Sequence, residues 1–186
     1  MDFKVNKIII ETERLILRAY QEDDLNDFYE YCQVEGVGEA AGWLHHKDIN
    51  ESQRILNIFL KQDTTFAIVY KENKKVIGSI GIKDTQEIKP EFKSYLASEI
   101  GYVLSKDYWG KGLMSEAIKT VINYLFENTQ LQILYCGHFI GNNKSKRVIE
   151  KAGFTFFTDG TFQSSQLNKT FAEKFYYLLN PLLPLQ

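Results

Sequence analysis

The sequence is poor in the residues that mark several classes of protein. Its 186 residues include two cysteines, Cys32 and Cys136, and three prolines. Two cysteines are too few for a disulfide framework, so we expect reduced thiols and a cytoplasmic location. No apolar run is as long as a membrane span, and the apolar segment near the start is too short for a signal peptide. We therefore expect no membrane partner.

The chain also lacks an excess of either charge. Lysine and arginine together number 22, aspartate and glutamate number 24, and the net charge is −2. Because there is no basic field, we do not expect nucleic acid as a partner. The chain is 44% hydrophobic and has no repeat or linker, which predicts one globular domain over residues 1–186. We expect a monomer or a homodimer.

The stretch from Ala97 to Asn128 gives the clearest local pattern. Alternating apolar residues in its first third predict a strand, and later apolar residues recur with helical spacing. The expected inner face of this helix consists of Met114, Ala117, Ile118, Val121, Ile122 and Leu125. Gly110 and Gly112 stand between strand and helix, and glycines at a helix N-terminus let backbone N–H groups approach an anion. A phosphate or pyrophosphate is the predicted ligand.

Periodicity and turn residues predict the other elements. We expect helices over 23–31, 51–62 and 142–151, with Asn50 or Ser52 as the cap of the second helix. We expect strands at 14–18, 65–71, 75–83, 133–139, 154–158 and 170–179, loops at 35–50, 84–96 and 159–169, and a frayed end at 181–186. This order predicts an α/β (α+β) fold, a mixed, partly parallel sheet of about seven strands with helices on both faces.

Two common phosphate loops do not fit the glycines. A Walker A loop needs glycine where this chain has Ser105, and Ser or Thr where it has Gly112. A dinucleotide fingerprint that starts at Gly110 needs glycine where the chain has Ser115, and no acidic residue lies near Gln132 to bind a ribose. An ordinary strand-to-helix turn and another kind of phosphate loop remain.

The segment Trp109-Gly-Lys-Gly-Leu-Met114 resembles the loop with which GNAT acetyltransferases bind the pyrophosphate of coenzyme A, Q/R-x-x-G-x-G/A. Gly112 stands at the first required glycine of that loop, whereas Trp109 and Met114 depart from it. Tryptophan at the first position is familiar in the RimJ/RimL-like branch, which acetylates ribosomal proteins. Met114 is therefore the one unusual residue of the loop.

Two further stretches resemble the same branch. Glu11-Thr-Glu-Arg-Leu-Ile-Leu-Arg18 is similar to its opening strand, E-T-x-R-L-x-L-R. The residues from Asn142 to Phe154 are similar to N-x-x-S-x-x-V-L-E-K-x-G-F, a helix that Asn142 would cap and Gly153 would end. The three motifs occur in the family's order. The resemblance implies the GNAT acyl-CoA N-acyltransferase fold, acetyl-CoA as cofactor and a primary amine as acceptor.

The resemblance also implies where the cofactor binds. The pyrophosphate would lie on the loop amides, and the pantetheine arm would pair with the strand before them as an additional strand does. The implied cofactor-binding residues are Tyr102, Val103, Leu104, Trp109, Gly110, Lys111, Gly112, Leu113, Met114, Ser115, Asn142 and Ser145. Lys111, Lys144, Lys146 and Arg147 could neutralise phosphates, although each alone is more often a solvated surface charge.

For the chemistry, the resemblance implies Glu99 as the base that deprotonates the amine. The plainer interpretation of Glu99 is a polar residue on the solvent face of a strand. His138 and the pair His45-His46 are alternatives, because imidazole titrates in the useful range. The resemblance assigns Ser145 to the leaving thiolate, as proton donor or as the group that orients the thioester. Many members of the family carry a tyrosine where this chain has Ile149.

The acceptor is expected between residues 35–51 and 159–169, where the family places its variable loops. The expected substrate-binding residues are Trp43, His45 and Glu99, although Trp43 is also a candidate core residue. The branch suggests a protein N-terminal amine, and amino acids, polyamines and antibiotics remain open. No spacing of His, Cys or acidic residues supports a metal site. A non-catalytic acyl-CoA-binding or regulatory module and an unrelated nucleotide-binding protein are the alternative functions.

Overall fold

The computed structural model of the chain describes residues 3–85 and 89–183. Its strands are Ile9–Glu11 (β1), Leu15–Ala19 (β2), Thr65–Tyr70 (β3), Val76–Lys83 (β4), Ala97–Leu104 (β5), Ile133–Phe139 (β6), Thr155–Ser164 (β7) and Lys169–Leu179 (β8). Its α-helices are Leu25–Cys32 (α1), Ile49–Gln62 (α2), Leu113–Asn128 (α3) and Asn143–Lys151 (α4). Within these described ranges, no helix is both long enough and apolar enough to cross a membrane.

The strands form one mixed sheet in the order β1-β2-β3-β4-β5-β6-β8-β7. Neighbouring strands are antiparallel except β5 and β6, which are parallel. The predicted mixed, partly parallel sheet is thereby confirmed, with one strand more than the sequence indicated. The additional strand is β1, whose three residues are too few to show an alternating pattern. The strand predicted at 14–18 corresponds to β2.

The parallel pairing of β5 with β6 is short. It joins Ala97 with Ile133, Ser98 with Leu134 and Glu99 with Tyr135. Beyond these residues β5 continues to Leu104 alongside β4, and β6 continues to Phe139 alongside β8. The two strands therefore diverge toward their carboxyl ends and leave a gap in the middle of the sheet.

Helices cover both faces of the sheet. The inward side chains of α3 are those that the helical spacing predicts, and all are buried: Met114, Ala117, Ile118, Val121, Ile122 and Leu125. They pack with residues of the sheet and of α4 in one core. On the opposite face, Phe28 of α1 and Leu56 of α2 pack against Ala67 and Val69. Each fully buried Leu or Ile contributes about 1.5–3 kcal/mol, so these two layers stabilise the sheet on either side of the gap.

The cap of α2 differs from the prediction. The Oδ1 atom of Asp48 accepts a hydrogen bond from the backbone N–H of Glu51 at 2.9 Å, so Asp48 is the N-cap. The predicted caps, Asn50 and Ser52, lie inside the helix, because the first turn begins at Ile49. Ser52 is buried and its hydroxyl lies 2.6 Å from Nδ1 of His46.

The hairpin at the end of the chain is longer than predicted. The segment 159–169, expected as a loop, continues β7 as far as Ser164, and β8 begins at Lys169. Asp159 and Gly160 suggest a turn in the sequence, yet both are paired in the ladder, and Nζ of Lys174 lies 2.6 Å from Oδ1 of Asp159. The prediction of a long variable loop at this place is wrong.

Two predicted irregular segments lie partly outside the described residues. The loop expected at 84–96 includes residues 86–88, and the frayed end expected at 181–186 includes residues 184–186. Just before that end, Asn180 is buried and donates hydrogen bonds from Nδ2 to the carbonyl groups of Phe126 and Leu131. These bonds attach the end of β8 to the end of α3.

We predict that Asp48→Ala lowers the free energy of unfolding by about 1 kcal/mol, because the N-terminus of α2 loses its side-chain acceptor. Chemical denaturation measures the change. Asn50→Ala is the matched control, since Asn50 is exposed and lies inside the helix, where alanine is the best helix former. Equal destabilisation by the two variants would contradict the assignment of the cap.

Candidate active site

The gap between β5 and β6 opens into a cleft of about 540 Å³. One part of its lining comes from the loop before α3, the first turn of α3 and the start of α4. The other part comes from the opposite face, where Ala40, Phe162 and Glu173 line it. The cleft therefore passes through the sheet at the point where the two parallel strands diverge. We call it the central cleft.

Residues Trp109–Ser115, here called the glycine loop, form one end of the central cleft. Gly110 and Gly112 have φ angles of +79° and +78°, a left-handed conformation that favours glycine. A Cβ atom at Gly110 would meet nothing within 4 Å, and one at Gly112 would meet only Arg14 Nη2 at 3.7 Å. Gly112 is the N-cap of α3 and supplies no side-chain cap. The amides of the first helical turn are thus left for an external anion.

The glycine loop is braced by the start of β2. The carboxylate of Glu116, in the first turn of α3, accepts hydrogen bonds from the Thr12 hydroxyl and from Nε of Arg14, the latter at 2.8 Å. Nη1 of Arg14 donates to the carbonyl group of Lys111 at 2.9 Å. Burial alone would raise the pKa of Glu116, but these hydrogen bonds lower it. Sequence analysis did not predict these contacts, although Thr12 and Arg14 belong to the recognised stretch Glu11–Arg18.

The edge of β5 provides a second surface for an elongated ligand. Tyr102, Val103 and Leu104 line the central cleft, as predicted residues of the cofactor site. In the described part of the chain, the β5 backbone beyond Glu99 has no strand partner on the side of β6. A row of unpaired N–H and C=O groups can pair with an extended chain as an additional strand does.

The predicted cations divide into two sets. Lys144 and Arg147 line the central cleft, and so does Lys151, which the sequence did not single out. Nζ of Lys144 lies 3.7 Å from the centroid of the Trp109 ring, a cation–π contact at the mouth of the cleft. Lys111 and Lys146 are not among the residues that line it. The cleft is thus positive beside the amides of the glycine loop.

Three predicted polar residues meet at the start of α4. Asn142 caps this helix, because its Oδ1 accepts from the backbone N–H of Ser145 at 3.1 Å. The Ser145 hydroxyl lies 2.8 Å from the Tyr102 hydroxyl, and burial raises the pKa of Tyr102. Ile149, at the position where many family members have tyrosine, is buried in the core. Ser145 and Tyr102 therefore supply two hydroxyl groups to this part of the central cleft.

Glu99 lies in the central cleft and is paired with a lysine. Its Oε1 atom is 2.9 Å from Nζ of Lys83, the residue opposite it on β4. The side chain of Glu99 is 19% exposed, whereas that of Lys83 is 62% exposed. Glu99 is therefore a partly buried carboxylate that pairs with an exposed lysine.

A second cavity of about 450 Å³ lies over β3, β4 and β5, under α1 and α2. Its lining includes four aromatic residues of that side, Phe28, Tyr31, Trp43 and Phe59. It shares part of its lining with the central cleft: Lys83, Gly101, Tyr102 and Val103. We call it the side cavity. The two spaces are neighbours across β5.

The three histidines are all engaged with neighbouring groups. Nδ1 of His138 donates to the carbonyl group of Phe139 at 2.9 Å, and its Nε2 lies 3.2 Å from the Tyr176 hydroxyl. His46 lines the side cavity, and burial lowers its pKa. His45 lines neither space, because its ring is held by Glu39 at 2.8 Å.

Glu39 organises the loop on this side of the sheet. It accepts hydrogen bonds from Nδ1 of His45 and from the backbone N–H groups of His45 and Gly36. Burial alone would raise the pKa of Glu39, but these bonds lower it to about 2. Nδ2 of Asn142 donates to the carbonyl group of Ala40 and so joins this loop to α4.

Sequence analysis also missed an acidic residue of the central cleft. Glu173 on β8 lines the cleft and is only 8% exposed. Strand alternation gives it the same orientation as Phe171, Phe175 and Tyr177. The sequence does contain a signal for this residue, because Glu173 is an acidic residue among aromatic residues on one face of the strand.

A mixed sheet that divides over a helix N-terminus, with a strand edge free for pairing, suits an elongated ligand that carries a phosphate group. The chain matches the family model "Acetyltransferase (GNAT) domain" over residues 14–155. It therefore belongs to the GNAT family and is an acetyl-CoA-dependent N-acetyltransferase. This confirms the resemblance to the family. Similarity to a ribosomal-protein acetyltransferase of Escherichia coli supports the RimJ/RimL-like branch.

Curated relatives agree with this assignment. The chain is 27% identical to the uncharacterized N-acetyltransferase YoaA of Bacillus subtilis, over 78% of this chain and 82% of that protein. It is 24% identical to the [ribosomal protein uS5]-alanine N-acetyltransferase of Escherichia coli, over 81% of this chain and 79% of that protein. The chain thus covers most of the length of both relatives.

Solved structures have the same fold. A GNAT-family acetyltransferase from Bacillus anthracis superposes with a TM-score of 0.77 at 23% identity, covering 93% of this chain and 99% of that one. A spermidine N-acetyltransferase from Vibrio cholerae, solved with CoA and spermine, superposes with a TM-score of 0.72 at 18% identity, covering 91% and 97%. At these identities the likeness supports the fold alone.

We predict that Gly112→Ala weakens acetyl-CoA binding by about tenfold, because a left-handed φ costs a non-glycine residue about 1–2 kcal/mol and the loop must shift its amides. Isothermal titration calorimetry measures the affinity. Gly153→Ala is the matched control: Gly153 has a φ of +88° at the end of α4, away from the cleft. That variant is expected to lose stability and keep its affinity. Unchanged affinity in Gly112→Ala would contradict the role of the glycine loop.

We predict that Glu39→Gln lowers the free energy of unfolding at pH 7 by about 1–2 kcal/mol, a value reduced for partial exposure. The folded-state pKa of Glu39, about 2, lies below the ordinary 4.5. Its contribution is therefore present above pH 4.5 and is lost as the pH falls toward 2. Denaturation curves between pH 7 and pH 2.5 should converge for the variant and the wild type. Glu22→Gln, at an exposed site, is the control, and a constant difference at all pH values would contradict the prediction.

Proposed function

We propose that this chain acetylates the N-terminal amine of a peptide or protein, which approaches through the side cavity. One observation carries the proposal: the central cleft and the side cavity share Lys83, Gly101, Tyr102 and Val103, beside the point where β5 and β6 diverge. An acyl donor along the edge of β5 and an acceptor in the side cavity would meet at Gly101. Among the described residues, apart from Gly101 and its two chain neighbours, no atom lies within 4 Å of where a Cβ of Gly101 would be.

The cofactor-binding residues form a surface that suits acetyl-CoA. The amides of the glycine loop and the cations Lys144, Arg147 and Lys151 suit a pyrophosphate, and the open edge of β5 suits the pantetheine arm. Acetyl-CoA supplies a thioester whose carbonyl carbon an amine can attack. The backbone N–H of Tyr102, which the ladder with β4 leaves on the open side of β5, is the donor that would stabilise the carbonyl oxygen. The N–H of Val103 points to Ser79 on β4.

The side cavity favours an amine that carries an apolar group. Its aromatic walls offer dispersion contacts, and Glu51 and Lys83 are the charged residues that line it. A polyamine would need several carboxylates, whereas the first residue of a peptide needs one place for its amine and an apolar pocket for its side chain. The E. coli relative, named for the alanine of ribosomal protein uS5, supports a protein N-terminus as the acceptor. Trp43 is a wall of this cavity, and His45 acts only through the Glu39 loop.

We assign proton transfer to Glu99 and Ser145. Glu99 would take a proton from the ammonium, directly or through water, after Lys83 has moved from its 2.9 Å contact. The neutral amine would form the C–N bond and the C–S bond would break. The surplus proton of the nitrogen would then pass to the coenzyme A thiolate through the Ser145 hydroxyl, which its 2.8 Å contact with Tyr102 holds in place. One domain over residues 1–186, a monomer or homodimer, and a cytoplasmic location stay predictions.

The test combines calorimetry with acetyl-CoA and an assay of free thiol release. The acceptors are peptides that differ in their first residue, free amino acids and spermidine. Turnover that is fastest with a peptide supports the proposal, and faster turnover with spermidine or an amino acid contradicts the acceptor class. Tight binding without turnover on any amine would favour a non-catalytic acyl-CoA module. Binding of ATP or NAD without coenzyme A would favour an unrelated nucleotide-binding protein.

We predict that Glu99→Gln lowers kcat by about 10²-fold, because the amide cannot accept a proton, and that it leaves the Kd of acetyl-CoA unchanged. Initial rates of thiol release across pH 6–9 and calorimetry with acetyl-CoA measure the two parameters. Glu127→Gln is the matched control, at an exposed site near the far end of α3. Full activity with an unaltered pH profile would exclude Glu99 as the base.

A further inference from the structure

Two glycines mark the point where the sheet opens. The last pair between β5 and β6 joins Glu99 with Tyr135, and the next residues of the same orientation are Gly101 and Gly137. A Cβ atom at Gly101 would meet nothing within 4 Å. The face of the sheet toward α1 and α2 therefore has no side chain on either strand at this level. The opening connects that face with the central cleft.

Glu173 occupies the space above Gly137. It lies on β8 opposite Phe139, and alternation places it on the same face as Gly137. A Cβ atom at Gly137 would come within 2.3 Å of Oε1 of Glu173. The carboxylate thus lies over the backbone of Gly137, at the edge of the opening. The carboxylate of Glu173 can lie there because Gly137 has no side chain.

The charged neighbours of this carboxylate lie across the opening. Burial raises the pKa of the Cys136 thiol, and Glu99 and Glu173 both raise it further, so both carboxylates lie within electrostatic range of one atom. Lys83 is the cation of this group and is paired with Glu99. His138, Lys174 and its partner Asp159 belong to the opposite face of their strands, by the alternation along β6 and β8. An approaching ammonium would therefore meet one carboxylate on each side of the opening.

The neighbours of Glu173 in the same row of β8 are aromatic: Phe171, Phe175 and Tyr177. Glu173 also lies beyond residues 14–155, the part that matches the family model. Its position in the cleft indicates a function in recognition.

We propose that Glu173 is the specificity-determining residue for the charged form of the acceptor: its carboxylate binds the ammonium of a primary amine over Gly101 and Gly137, and Glu99 then takes the proton. This inference rests on the proposed function. A charge-assisted hydrogen bond from N–H of the ammonium to the carboxylate would hold the nitrogen beside the thioester. Tertiary amines with bulky groups would not fit between the two strands.

The experiment measures KM and kcat for the best peptide of the panel, at pH 6.5 and at pH 9. An N-terminal amine has an ordinary pKa of about 7.7–8.0, so it is charged at the lower pH and neutral at the higher one. For Glu173→Gln we expect KM to rise about tenfold at pH 6.5, and by less than about threefold at pH 9, because only the ammonium needs the carboxylate. We expect the Kd of acetyl-CoA to stay the same. Glu150→Gln, on the exposed face of α4, is the control.

Two outcomes would overturn the inference: an unchanged KM at pH 6.5, or an equal rise in KM at both pH values, which a merely structural role would give. If Glu173→Gln does not fold, Glu173→Asp decides. This variant keeps the negative charge but shortens the side chain by one methylene group. A raised KM at pH 6.5 then supports the inference, and an unchanged KM overturns it.

The proposed function fails in a different way. In that case the wild type releases no thiol with any amine. Calorimetry of the same peptide with CoA-loaded protein at the two pH values then tests Glu173 without turnover. A loss of peptide affinity in Glu173→Gln that is confined to pH 6.5 supports the inference, and equal affinities overturn it.

Discussion

Pairing between β5 and β6 stops after Glu99 and Tyr135, and each strand then follows its other neighbour. A parallel pair inside a sheet normally continues for as long as both strands do, because each unpaired backbone group in the interior costs free energy. Here the separation leaves a row of N–H and C=O groups along one wall of a cleft of about 540 Å³. We propose that the pantetheine arm of acetyl-CoA satisfies those groups, so that the interrupted pairing would be the structural basis of cofactor binding.

The gap must also be held open at a fixed width. On one side, Glu116 ties the first turn of α3 to Thr12 and Arg14, and Arg14 in turn holds the carbonyl group of Lys111. On the other side, Asn142 caps α4 and bonds to Ala40, so one side chain joins the helix to the loop around Glu39. Arg14 and Glu116 are long side chains that lose conformational entropy when they are fixed, but each is held by more than one hydrogen bond. The two sides of the gap are therefore fixed by contacts between segments that are remote in the sequence.

Sequence reasoning succeeded where one local rule governs an element. The strand at 133–139, the inner face of α3 and the cap at Asn142 follow from alternation, helical spacing and hydrogen-bond chemistry, and all three are present. It failed where pairing across the sheet decides, as in β7, which continues through Asp159 and Gly160 because β8 lies beside it. The cap of α2 was misplaced because Asp48, Asn50 and Ser52 are all good cap residues, and spacing alone does not choose among them. The glycine loop could be predicted, whereas the brace at Glu116 needed the distance between two remote segments.

The same reasoning explains why Glu173 is recognisable only in the structure. In the sequence it is one acidic residue near the end of a strand, where an exposed position is the ordinary expectation. Three facts change that interpretation: its 8% exposure, the missing side chain at Gly137 and the opening between two strands. Glycine weakens a strand, so Gly101 and Gly137 lack the packing that larger side chains would supply at this level of the sheet. The proposed role of Glu173 accounts for both glycines, because the space over them would receive the cation that its carboxylate binds.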